Sequence, residues 1–197
     1  MIESRINFNL SKEFSDGVSL KNANVVNSNE IHTIIKINHV SVSKNERRGF
    51  LCHMPEYEDL RFRLAKGTFN QIALFENEIV GFLTAFSNLE AIEYMSDGYL
   101  AYEDDILKSL LSEKFIWLDQ LAIHPPQYLR RKIGTRLIKN IIEIAAQQGY
   151  KSFFGTISID PEINLASINF LTTLGFEMVD TLVLNNRRWI LIKLQLK

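Results

Sequence analysis

The stretch Trp117–Thr135, WLDQLAIHPPQYLRRKIGT, sets a strand, a basic loop and a helix start end to end. Ile116, Leu118, Gln120 and Ala122 alternate with Trp117, Asp119, Leu121 and Ile123 in an apolar-rich run of period two, which Pro125 and Pro126 stop. That predicts a strand ending near Ile123. Beyond the loop, Ile133, Leu137, Ile138, Ile141, Ile142 and Ile144 recur at helical spacing until Gly149, so the spacing predicts a helix from Ile133. Arg130, Arg131 and Lys132 crowd the start of that helix, where the positive end of its dipole disfavours them. An anion seated on the free amides would resolve the conflict, because dipole, backbone donors and cations would all face negative charge; a di- or triphosphorylated ligand fits best. Three solvated cations are the alternative reading. Gly134 favours the anion: a glycine in the first turn costs about 1 kcal/mol against alanine, yet it admits a ligand close to the backbone.

Outward from that stretch, the 197 residues, 46% hydrophobic and 11% aromatic, suit one globular domain over 1–197. No basic segment followed by an apolar run opens the chain and no run is long enough to span a bilayer, so a soluble, cytoplasmic protein without membrane partners is expected. A lone cysteine, Cys52, excludes an intrachain disulfide, and its neighbour His53 lacks further ligands at metal-binding spacing, so no metal site is expected. With 22 basic and 23 acidic side chains, nothing supports a general attraction to nucleic acid. The distribution of charge says more. No lysine or arginine falls between Lys66 and Lys108, a window holding Glu76, Glu78, Glu90, Glu93, Asp97, Glu103, Asp104 and Asp105.

Elsewhere the pattern predicts a short strand within Val18–Val26, a helix around Ile31–His39, and a second helix over Glu56–Lys66 ended by Gly67. Strands Phe69–Phe75 and Glu78–Phe86 would form a hairpin about Glu76-Asn77. Leu89–Glu113 reads as a mostly helical insertion, Lys151–Ile159 as a strand, and Leu165–Leu174 as a helix closed by Gly175. Phe176–Leu184 and Arg188–Leu196 close the chain as paired strands. Helices mixed with hairpins make the fold class α+β.

Two segments of this pattern resemble the GNAT superfamily of acyl-CoA-dependent N-acyltransferases. That family's first motif, a strand followed by Gln/Arg-x-x-Gly-x-Gly/Ala, is similar to Leu129-Arg130-Arg131-Lys132-Ile133-Gly134, with Leu129 and Lys132 departing from it. Its second, Asn-x-x-Ala/Ser-x-x-Phe-Tyr with a later Gly-Phe, is similar to Asn164, Ser167, Phe170, Leu171, Gly175 and Phe176. The resemblance implies a splayed mixed sheet flanked by helices, with acetyl-CoA wedged between the strand ending at Ile123 and the strand Lys151–Ile159. It further implies that amides from Leu129 to Thr135, including Arg130, Arg131, Lys132, Ile133 and Gly134, cradle the pyrophosphate. Leu121, Ala122 and Ile123 would pair with pantetheine as an added strand does, with Asn164 and Ser167 on the other side and Phe170 against the cofactor arm or simply in the core.

Amine acylation by a thioester needs an uncharged nitrogen and a donor for the developing oxyanion. A backbone N–H within Leu121–Ile123 would serve the oxyanion, and Asp119 is the nearest carboxylate able to take a proton from an ammonium, directly or through water. Regular alternation places Trp117 and Leu121 on its face, where apolar surroundings would strengthen it as a base; holding a loop by hydrogen bonding is its other reading. The resembled family often has a tyrosine after the motif phenylalanine as general acid. This chain has Leu171, so the acid is unassigned. His124 and Tyr128 flank the loop, and His32 and His39 read as exposed helix positions. The expected activity is acetyl transfer to a primary amine on a cationic small molecule by direct attack, with Tyr94, Asp97, Tyr99 and Glu103 holding the acceptor. A protein or peptide N-acetyltransferase and a non-catalytic acyl-CoA-binding regulatory domain are the alternatives, and self-association into a homodimer is left open. No Gly-Lys-Ser/Thr loop supports phosphoryl transfer.

Overall fold

The computed structural model describes residues 11–23, 27–42, 51, 56–94, 113–124, 128, 131–184 and 186–196. Its strands are β1 (Lys12–Glu13), β2 (Val18–Asn22), β3 (Gln71–Phe75), β4 (Glu78–Ser87), β5 (Phe115–Ile123), β6 (Ser152–Ser158), β7 (Glu177–Leu184) and β8 (Arg187–Gln195). Its helices are α1 (Ser28–Val42), α2 (Tyr57–Lys66), α3 (Asn88–Tyr94), α4 (Ile133–Gln147) and α5 (Leu165–Thr173). The strands form one mixed sheet in the order β1-β2-β3-β4-β5-β6-β8-β7. Only β5 and β6 run parallel, as the crossover through α4 requires.

Local chemistry sets most of these elements. Glu76 and Asn77 both take positive φ, 52° and 66°, the backbone of a two-residue hairpin turn between β3 and β4. At the start of α1, Asn27 Oδ1 accepts from Glu30 N (3.0 Å) and Glu30 accepts from Asn27 N (2.7 Å), a reciprocal capping box. Glu90 closes α3 the same way, accepting from Ser87 N. Gly67 follows α2 but is not left-handed (φ −75°); a Cβ there would stand 2.5 Å from the Asn70 side chain. Asn70 itself ends the helix, since its Nδ2 donates to Arg63 O and Leu64 O.

The predicted stripe of α4 packs on one sheet face. Ile133, Leu137, Ile138 and Ile141 are buried against β5 and β6 residues such as Ile116, Phe153 and Ile157, each contributing about 1.5–3 kcal/mol. The other face is covered by α1 and α2, where Ile31, Ile34, Leu60 and Leu64 meet Ile72, Phe82 and Ala122. Trp117, Phe115 and Phe154 form a further cluster with Ala91 of α3. The strand expected over Val18–Val26 ends at Asn22, the two-residue β1 was not expected, and the insertion expected over Leu89–Glu113 lies outside the described residues from 95 to 112. Among the described residues no helix is long and apolar enough to cross a membrane.

One departure from regularity shapes the edge of β5. Thr84 of β4 pairs with Gln120 and Ala85 with Leu118, so Asp119 is an extra, bulged residue. The period-two alternation shifts by one there. Leu118, Leu121 and Ile123 all pack toward α4, while Trp117, Asp119, Gln120 and Ala122 face the opposite side. The expectation that Leu121 shares a face with Asp119 is therefore corrected.

Candidate active site

Pairing between β5 and β6 runs from Phe115/Ser152 to Leu118/Gly155 and stops. A Cβ on Gly155 would stand 3.1 Å from Leu118 O, so glycine admits a tight backbone approach where the pairing ends. Past it, Gln120–Ile123 pair only with β4, and Thr156–Ser158 only with β8. His124 N donates to Val80 O (2.8 Å). By the alternation of strand hydrogen bonding, the backbone groups of Ala122 also face β4 and those of Leu121 and Ile123 face the gap. A divergence edged with peptide groups that, among the described residues, have no strand partner fits an extended, amide-bearing ligand arm.

The start of α4 opens beside that gap. Lys132 is left-handed (φ 57°), its side chain makes no capping hydrogen bond and the first turn has no acidic residue. The first amide bonded within the helix is Arg136 N, to Lys132 O (3.0 Å). The amides of Ile133, Gly134 and Thr135 thus precede the first intrahelical bond, as an anion site requires. Two details differ from expectation. Arg131 stacks on the Phe75 ring (4.1 Å to its centroid) and reaches Asp16 O (3.4 Å), so its guanidinium is partly committed to the β1–β2 turn. A Cβ on Gly134 would meet Phe170 Cζ at 3.3 Å and Leu121 at 3.6 Å, so side-chain packing explains this glycine without a ligand. Leu129 and Arg130 lie outside the described residues.

Nearby, Arg136 holds Asp16 through both oxygens (2.7 and 2.8 Å), and those hydrogen bonds keep the Asp16 carboxyl below its ordinary value. On the far side of the gap, Asn164 is buried and caps α5, its Oδ1 accepting from Ser167 N (3.1 Å) while its own N–H bonds Ser158 O (3.0 Å). Both motif residues therefore have a structural duty, tying α5 to the end of β6. Phe170 and Leu171 are half-buried against the α4-side core.

Asp119 does not stand in the apolar surroundings expected of it but among hydrogen-bond donors. Arg63 Nη1 donates to Oδ1 (3.2 Å) and Oδ2 (3.0 Å), and Thr84 Oγ1 donates to Oδ2 (2.9 Å). That fills three of a carboxylate's roughly four acceptor positions. In the acidic window, Glu90 accepts from Thr68 N, Thr68 Oγ1 and Ser87 N, and Glu93 pairs with Lys66 (3.1 Å). These two acids are engaged within the chain. Asp97, Tyr99 and Glu103 lie outside the described residues, and Tyr94 ends α3. His32 and His39 are exposed, as expected.

The profile of the Acetyltransferase (GNAT) family matches residues 36–176, spanning both strands that part and both helix starts. The chain belongs to that family. It is accordingly an acetyl-CoA-dependent N-acetyltransferase with a mixed eight-stranded GNAT sheet. Among curated protein sequences none matches. Among solved structures, Arabidopsis thaliana Naa50 in complex with the bisubstrate analogue CoA-Ac-MVNAL is similar (TM-score 0.60, 15% identity, 90% of this chain and 98% of that one). An agmatine N-acetyltransferase superposes with TM-score 0.62 at 15% identity over 92% of this chain and all of that one. The putative acetyltransferase yncA of Salmonella typhimurium, with its cofactor acetyl-CoA, gives 0.59 at 14% identity over 92% and 95%.

Arg63 and Thr84, which hold Asp119, carried no signal in the sequence reading of this GNAT site. Arg63 is 56 positions from its partner, beyond any local spacing rule.

Proposed function

We propose that this GNAT enzyme acetylates a primary amine on a cationic small molecule by direct attack of the amine on the donor carbonyl, the C–S bond breaking to release CoA as its thiolate. The observation that carries the proposal is the parting of β5 from β6 at Leu118/Gly155, with Leu121 and Ile123 aimed into the gap beside the uncapped start of α4. Acetyl-CoA, when bound, supplies the activated acetyl thioester. The backbone of Leu121–Ile123 holds the pantetheine arm, with Asn164, Ser167 and Phe170 bordering it. The segment Leu129–Thr135 holds the phosphates with its amides, helped by Arg130 and Lys132. A backbone N–H of Leu121–Ile123 receives the developing oxyanion, a preorganised donor in a partly dry cleft. Asp119, only 12% exposed, takes the ammonium proton through water at its remaining acceptor position.

The charge of the acceptor is inferred from the cation-free window 67–107 and supported by likeness to enzymes whose names specify agmatine or polyamine acetylation. With Glu90 and Glu93 engaged, Asp97 and Glu103 are the proposed partners of the ammonium, and Tyr94 and Tyr99 its aromatic walls. A peptide N-terminus is the second reading, favoured by the likeness to Naa50 bound to a CoA–peptide conjugate.

Thioester consumption with a panel of agmatine, spermidine, neutral primary amines and short peptides tests this. Preference for the cationic small amines is the expected result. Preference for peptides would move the assignment to the second reading, and CoA binding without turnover on any amine would indicate a non-catalytic domain.

A further inference from the structure

The bulge presents two consecutive side chains, Asp119 and Gln120, to the α1/α2 face, and a different helix grips each. Arg63 of α2, 3% exposed, binds both oxygens of Asp119 and gives its Nε to Asp59 Oδ1 (3.2 Å) one turn earlier. Thr84 Oγ1 ties the same carboxylate back to β4 (2.9 Å). Asn38 of α1, fully buried, donates to Gln120 Oε1 (3.0 Å). Burying an arginine between two carboxylates is a poor route to stability, because desolvation offsets the attraction and apolar replacements often do as well. Such a cluster is better explained by the geometry it enforces.

That geometry is the register of the gap. With the extra residue in place, Leu118, Leu121 and Ile123 direct their backbone groups toward β6. Regular alternation from Leu118 would instead turn Leu121 and Ile123 toward β4 and present Gln120 and Ala122 to the gap. We propose that Arg63 and Thr84 are positioning residues for acetyl transfer: by fixing the Asp119 carboxylate on the helix side they hold the bulge, and the bulge aims the Leu121 and Ile123 amides at the reacting carbonyl. The inference rests on the proposed placement of the donor in that gap. Both side chains are buried, and their effect is on the transition state, where amide alignment is most demanding.

The test uses Thr84→Val, Thr84→Ser and Arg63→Lys in the full chain, with steady-state kinetics on the best amine, CoA calorimetry and residue-resolved amide exchange. Thr84→Val and Arg63→Lys should each lower kcat by about tenfold or more. Their KM for acetyl-CoA should stay parental, and Thr84→Ser should recover most of the loss. Amides of Gln120 and Ala122 should exchange about tenfold faster, with those of Phe115–Trp117 and α4 unchanged, whether or not any amine in the panel is a substrate. The exchange arm therefore stands even if the functional reading fails. Folded Thr84→Val and Arg63→Lys with parental kcat and parental exchange at 120–122 would overturn the inference, as would faster exchange spread evenly over the whole core.

Discussion

The two halves of β5 are built from similar residues and do different work. Ile116–Leu118 is paired on both sides, and Phe115, Ile116 and Trp117 are at most 1% exposed. Gln120–Ile123 is paired on one side, and its other edge borders the gap. One bulged residue, Asp119, separates them. A single strand thus serves as core up to the bulge and as a ligand-facing edge after it, so substitutions a few positions apart should fail in different ways.

The largest effect belongs to the first half. Trp117→Ala removes a buried indole and should cost about 3–5 kcal/mol of stability, read from the denaturation midpoint, while CoA affinity of the folded fraction stays parental. Lost CoA affinity at parental stability would erase the contrast between the halves. Next, Asp119→Asn should lower turnover by about 100-fold with near-normal CoA affinity, and should remove the acid limb of the rate profile. If that limb survives in a slowed variant, the carboxylate serves only as the anchor of the bulge.

Reversing Arg130 and Arg131 together to glutamate should weaken CoA by about 1–3 kcal/mol in calorimetry, and added salt should weaken the parent too. Because Arg131 is already stacked on Phe75, Arg131→Ala alone should sit at the low end of that range. A double variant with parental affinity would remove Arg130 and Arg131 from the phosphate site.

The smallest effects are on stability against pH, and they arise away from the gap. Burial pushes the Glu30 carboxyl up, but Lys21 and the Asn27 N–H outweigh it, so its folded value lies below the ordinary 4.5. The unfolded chain then takes up the proton first as pH falls, so this contribution is present above 4.5 and lost as pH drops through the folded value. Glu30→Gln should blunt that acid sensitivity. At the other limb, burial and then the Glu90 charge push Tyr150 up to about 12 from an ordinary 10.0. Its contribution is present below pH 10 and is lost as pH rises toward 12, and Tyr150→Phe should flatten that loss. If either substitution shifted the pH profile of turnover and left the stability curve alone, these groups would belong to the active site.

The sequence showed most elements because their signals are local. The α4 stripe, the Glu76-Asn77 turn and the Asn164–Ser167 spacing each act within a few residues. The bulge was hidden because period-two alternation reads straight through Asp119; its trace is Leu118 and Leu121, three apart yet packed on one face. Distant partners were equally silent. Nothing near position 131 announces Phe75 or Asp16, and nothing near 119 announces Arg63. The glycine at 134 was legible as a close approach, but the approaching group is Phe170.

The central claim is that the backbone after the bulge and the start of α4 form one donor site. Titrating the 15N-labelled protein with CoA and following amide shifts residue by residue tests it most directly. Large, saturable shifts are expected at Leu121, Ile123 and Ile133–Thr135 with a common affinity, and little change at Phe115–Trp117. Saturable binding that moves other amides and leaves both of those segments unshifted would contradict it.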